Sequence, residues 1–159
     1  RAAKIRAKIE EAAWREDPAT LSATFQGDML DASLLQLLDL RFLRPDDPRF
    51  QGTLKAVEDG LRRGSHMLRY ATEDDFGMPQ TAFNVCTFWL IEALQAVGRT
   101  ADARSLFEDM LERRTASGLL SEDIDPLSGE LWGNYPQTYS LVGMINCAVL
   151  LSKPWSAIR

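Results

Sequence analysis

Apolar side chains recur along this chain at spacings of three and four residues, in six separate stretches. The pattern predicts helices at about 2–15, 29–43, 48–62, 81–97, 100–116 and 137–152. Stop and start signals set the limits. Asp17-Pro18 and Pro45 end the first two, and Pro48 opens the third at a first-turn position. Gly64 and Gly98 close the third and fourth. Thr100 is the expected N-cap of the fifth, Gly118 its terminator, and Pro154 follows the sixth. No alternating run marks a strand, although HMLRY at 66–70 suits a short extended piece. The chain reads as all-α.

The helices are of two kinds, in alternation. KIRAKIEEAAW, RFQGTLKAVEDGLRR and ADARSLFEDMLERR keep a charged face, whereas FNVCTFWLIEALQAV and TYSLVGMINCAVLL are apolar nearly all round. MLDASLLQLLDLRF leans apolar. A helix apolar on every side needs cover on every side, so the even-numbered helices are expected inside and the odd-numbered ones outside. That is the layout of helical hairpins around a centre, as in an α/α toroid or a solenoid. The long connections, 16–28, 63–80 and 117–136, all lead from an outer helix to an inner one. They therefore share one end of the array, and function is expected there.

Charge and composition remove several alternatives. The net charge is −5, with no basic stripe to meet a phosphate backbone, so no nucleic-acid partner is expected. No apolar run approaches the roughly 20 residues of a membrane span. Cys86 and Cys147 each sit in an apolar helical run, which favours buried thiols and a reducing cytoplasm. His66 is the single histidine, so a zinc site is not expected, and no cofactor is implied. His66 itself reads as a surface or capping residue. GSHM at 64–67 runs smoothly into LRYATEDDFG and reads as native sequence. The chain begins at Arg1, inside a helical pattern, and reads as a piece of a longer protein.

The connection at 117–136 carries the chemistry. Ordinary helix–helix links need about 2–8 residues, and longer ones with apolar content are usually functional. Glu122, Asp123, Asp125 and Glu130 supply carboxylates, and Trp132 and Tyr135 supply flat apolar faces. Carboxylates beside aromatic rings suit sugar chemistry: the acid moves protons and the ring covers a pyranose face. DPLSGE reads as a solvated turn, and SEDID lacks the spacing of a calcium loop. In the loop at 63–80, Arg69 offers a fork of donors for hydroxyls. Asp28 and Asp31 flank the start of the second helix as caps, and Phe88 and Trp89 read as core.

FNVCTFWLIEALQAVGR and GLLSEDIDPLSGELWGNYPQTYS closely resemble the C-terminal part of bacterial glycoside hydrolase family 15, the glucoamylases, glucodextranases and related trehalases. GDMLDASLL, PDDPRFQGT and LRYATEDDFG extend the resemblance over essentially the whole chain. It implies the second half of an (α/α)6 barrel, and an inverting hydrolysis that releases glucose from the end of an α-glucan or trehalose-type saccharide. In that reaction one carboxylic acid protonates the leaving oxygen, and a carboxylate opposite activates water. By resemblance the LLSED motif makes Glu122 the general base, and the R-Y segment makes Arg69 a holder of substrate hydroxyls. Tyr70, Trp132, Asn134, Tyr135 and Gln137 fall in matching stretches and are implied to line the pocket. Two positions depart from the family pattern: Gln80 stands where many relatives are acidic, and Ser140-Leu141 replaces a common Ser-His.

The family's general acid belongs to a segment this chain does not contain, so residues 1–159 alone are expected to be inactive. The missing N-terminal half of the same protein is the expected partner. Leu34, Leu35, Leu38, Val142, Ile145 and Val149 are expected along the cut edges, where they favour self-association. The alternative reading is a helical-repeat module that binds protein, suggested by ALQAVGRTADARSLFEDMLERR.

Overall fold

A computed structural model describes residues 1–75 and 77–152. Among the described residues five α-helices carry the fold: α1 (Ala2–Ala13), α2 (Pro48–Leu61), α3 (Asn84–Ala96), α4 (Thr100–Glu112) and α5 (Thr138–Leu151). A 3-10 helix, Ala32–Leu37, stands where the second helix is expected. Pro154 lies outside the described residues.

The most apolar helix is the centre. On α3, Val85, Cys86, Phe88, Leu90, Ile91, Ala93 and Leu94 are buried, and the helix packs against α4, α5 and the 3-10 helix. Gly143 lets α5 come close to α3, because a Cβ there would lie 2.8 Å from the Phe88 ring. Outside it, α4 buries Ala103, Leu106 and Met110, the single stripe its charged sequence allows. Gly98, at φ +84°, makes the tight link between the two. Asp47 caps α2 by accepting from the Arg49 N–H, with Pro48 in the first turn.

Several expectations change. The segment 29–43 is not one α-helix: the Phe42 and Leu43 N–H groups both close on the Leu37 carbonyl, and Arg41 takes φ +53°. The chain thus curls to bury Leu43 while leaving Leu40 exposed. Tight i→i+3 turns satisfy the same apolar spacing as an α-helix over so short a run. Thr100 is the first residue of α4 rather than its cap, and Arg99 precedes it without a side-chain cap bond.

Short strands also appear in all three long connections. Beyond α1 the chain turns into β1 (Trp14–Glu16) and β2 (Ala19–Leu21), and beyond α2 into β3 (Arg62–Arg63) and β4 (His66–Met67). Pairing in β4 buries His66, contrary to a surface role, and burial pushes its pKa below the usual imidazole value, with the Arg113 charge adding to the shift. Ser65 bonds Asp109 at 2.5 Å, so the GSHM stretch is part of the fold. Finally β5 (Ala82–Phe83), β6 (Asp123–Ile124) and β7 (Leu131–Trp132) form an antiparallel sheet that joins the second long connection to the third.

The inner and outer assignment holds for α3 and α4, and α5 carries the open flank expected of a cut edge. One side of α5 buries Ser140, Gly143, Cys147 and Leu151, while Tyr139, Val142, Ile145, Val149 and Leu150 are exposed. Leu34 and Leu35, expected on an open edge, are buried under α2 and α3. No helix among the described residues is long and apolar enough to cross a membrane.

Candidate active site

The third long connection is held at Ser121, whose side chain is buried. Its carbonyl accepts from Asn84 Nδ2 at 3.0 Å and from Ser140 Oγ at 2.7 Å, so the first turns of α3 and α5 meet on one oxygen. The next carbonyl, of Glu122, accepts the Asn84 N–H at 3.0 Å. These bonds place Glu122 where two inner helices begin.

The Glu122 side chain is fixed from the other side by Asn134. Oε2 accepts the Asn134 backbone N–H at 3.1 Å and Asn134 Nδ2 at 2.7 Å, and the Glu122 N–H returns a bond to the Asn134 carbonyl at 2.9 Å. Oε1 has no hydrogen-bond partner among the described residues. Gly133, at φ +77°, permits the approach: a Cβ there would stand 3.0 Å from Oε2.

Arg69 comes from the second connection. Its carbonyl accepts the Ala32 N–H at 2.8 Å, and its Nε lies 3.3 Å from Asp31 Oδ2. Asp31 also caps the 3-10 helix by accepting from the Ser33 N–H, so one carboxylate fixes both the helix start and the arginine. The capping role is legible in the sequence, while the pairing, across 38 residues, is not.

Two cavities meet at this point. Arg69, Phe83 and Glu122 line both. The larger, about 650 Å³, is also lined by Trp89, Tyr139, Val142 and Asn146, with Gln36, Asp39 and Glu92. The smaller, about 210 Å³, is lined by Tyr70, Pro79, Thr81 and Asp123 as well. Aromatic faces beside amides and carboxylates suit a hydroxyl-rich ligand.

The other expected residues divide. Tyr70 lines the smaller cavity and bonds Asp74 at 2.5 Å. Asn134 holds Glu122. Trp132, Tyr135 and Gln137 line neither cavity. Trp132 is half-exposed on β7, the Tyr135 hydroxyl lies 3.2 Å from Thr115 Oγ1, and the Gln137 N–H caps the Leu120 carbonyl. Trp89 is only partly buried because one side faces the cavity rather than the core. Gln80 bonds the nearby Met78 carbonyl. Asp125 closes the DPLSGE turn through the Leu127 and Ser128 N–H groups, which lower its pKa.

Glu92 was missed, although it is the single charged residue within FNVCTFWLIEALQAV. Burial, then the nearby Asp39 charge, raises its pKa to about 7. Among the described residues no cluster of three His, Cys, Asp or Glu side chains could hold a metal ion.

Comparison with solved structures recovers the fold. One chain described as a wild-type glycosidase superposes with a TM-score of 0.80 at 22% identity, over 94% of this chain and 43% of that one. A variant of the same description, in complex with glucose, matches equally. The family model "Glycosyl hydrolases family 15" matches residues 1–149. The chain belongs to that family, and the helical-repeat reading falls away. Its relatives include the trehalase of Mycobacterium tuberculosis, 38% identical over 77% of this chain, and that of Thermoplasma acidophilum, 36% identical over 91%. This chain spans 18% and 26% of those two proteins.

Proposed function

We propose that residues 1–159 form the C-terminal half of the catalytic domain of an inverting, exo-acting α-glucosidase of trehalase type, with Glu122 as general base. The observation that carries this reading is the division of labour within the Glu122 carboxylate. Asn134 occupies Oε2 from two directions, and Oε1 is left to take a proton from water. Arg69 lines the same two cavities, where its remaining donors meet sugar hydroxyls. Trp89 and Tyr139 offer ring faces for the pyranose.

In this mechanism Glu122 deprotonates a water as it attacks the anomeric carbon, and a carboxylic acid about 6.5–9.5 Å away protonates the departing oxygen. That acid belongs to a segment outside residues 1–159, so this chain holds half of the active centre and is inactive alone. Trehalose is favoured over an α-glucan because the curated relatives that resemble the chain are named trehalases. Buried, unpaired Cys86 and Cys147 suit a reducing compartment such as the cytoplasm.

The anomeric outcome tests the reading. Proton NMR of trehalose cleavage by the full-length protein should show equal initial amounts of α- and β-glucose, because only the attacked ring inverts. Initial release of α-glucose alone would indicate retention and remove the base role. Turnover of maltodextrin with none of trehalose would reject the substrate.

A further inference from the structure

We propose that Asp123, with Thr81, is the positioning device that sets Glu122 against Arg69; this rests on the reading of Glu122 as the base. The Thr81 hydroxyl donates to Asp123 Oδ2 at 2.7 Å, across 42 residues of sequence. The bond joins the two connections that supply the site: Thr81 stands just before β5, in the connection that runs from α2 through Arg69 to α3, and Asp123 follows Glu122 directly. Both residues line the smaller cavity, beside Arg69 and Glu122.

Beyond the Asn84 N–H bond to the Glu122 carbonyl, the backbone gives this junction little hold. β5, β6 and β7 are each two residues long, with Phe83 opposite Asp123 and Asp123 opposite Trp132. Sheets so small are marginal without side-chain support. On the other side of Glu122 the Ser121 carbonyl is fixed by Asn84 and Ser140, and the Ser121 hydroxyl reaches the Asp123 carbonyl. Asp123–Thr81 is therefore the clasp on the open side of the base, where Ser121 is the clasp on the core side.

The position also carries a cost that a purely structural residue need not bear. Asp123 is half-buried, and burial raises its pKa, as does the Glu122 charge; the Thr81 bond opposes both. A carboxylate next to another carboxylate, with one hydroxyl in compensation, is explained if the hydroxyl bond is what the position is for.

The test uses the full-length protein and trehalose. Asp123→Ala and Thr81→Val should each lower kcat by up to about 10²-fold with little change in KM, since a misplaced base slows chemistry and leaves binding intact. The double variant should be no worse than either single one, because both remove the same bond. Asp123→Asn, which still accepts from Thr81, and Thr81→Ser, which still donates, should restore kcat to within about threefold of wild type. Thermal unfolding of each variant identifies any that fail to fold, and the conservative pair then decides the question. Wild-type kcat in folded Asp123→Ala, additive losses in the double variant, or an Asp123→Asn as slow as Asp123→Ala would overturn the clasp. Glu122→Gln runs alongside: its inactivity with unaffected Asp123 variants rejects the clasp alone, whereas its full activity rejects the base and the clasp with it.

Discussion

Asn134 holds Glu122 through one oxygen only, with its backbone N–H at 3.1 Å and its Nδ2 at 2.7 Å both on Oε2. The arrangement orients the carboxylate and leaves the other oxygen available. Removing the side-chain half of the grip should therefore loosen the base without abolishing it. Asn134→Ala in the full-length protein should lower kcat by about tenfold, while a change confined to KM would give Asn134 a substrate-binding role instead. Gly133→Ala should be worse, because its Cβ would meet Glu122 at 3.0 Å from a backbone at φ +77°.

Glu92 gives the isolated chain a pH dependence of known sign. Its carboxyl rises from an ordinary 4.5 to about 7 in the folded state, through burial first and Asp39 second. Between those values the folded state holds a proton that the unfolded state has lost, so stability falls as pH rises. The contribution is fully present below the ordinary value and gone above about 7. Buried His66, whose pKa is lowered, acts in the opposite direction over part of this range, so the comparison is with the variant: the urea midpoint of residues 1–159 should fall more, or rise less, from pH 5 to pH 8 in wild type than in Glu92→Gln. A midpoint that rises over this range, unchanged by Glu92→Gln, would remove Glu92 as the cause.

The outer flank of α5 should make residues 1–159 associate. Val142, Ile145 and Val149 follow one another at helical spacing and are 48%, 57% and 71% exposed. Val149 and Leu150 also border a further cavity of about 570 Å³ that shares Trp89, Glu92 and Asn146 with the larger site cavity. An apolar stripe of this kind tends to find a partner. Sedimentation at micromolar concentration should show dimers or larger species, and Ile145→Lys with Val149→Lys should restore monomers. A wild-type monomer at every concentration would mean the stripe tolerates water.

Much of the fold was legible from local pattern, and the limits of that legibility are physical. α2 declared itself through Pro48 in its first turn, and α4 through one stripe on a charged helix, because both signals lie within a few residues. The 3-10 helix was not separable from an α-helix, since LLQLLDL satisfies either spacing until Arg41 turns the chain. HMLRY marked the extended piece that holds β4, but a strand of two residues has no alternation to show which side is covered, and so His66 could not be seen to be buried. Glu122 and Arg69 came from resemblance to the family. The bonds around them, Glu122 with Asn134, Ser121 with Asn84 and Ser140, Asp31 with Arg69, and Asp123 with Thr81, span 12 to 42 residues of chain. Such pairs leave no local trace. Glu92 did leave one, as an isolated charge on the most apolar face of the chain.

If Glu122 activates the attacking water, its replacement by Gln must show in the steady-state kinetics of the full-length protein with trehalose as substrate. Gln keeps the size of the side chain and can still meet Asn134, but it cannot take a proton. The expected result is a kcat lower by about 10²–10⁴-fold at nearly unchanged KM. Turnover near the wild-type rate would contradict it.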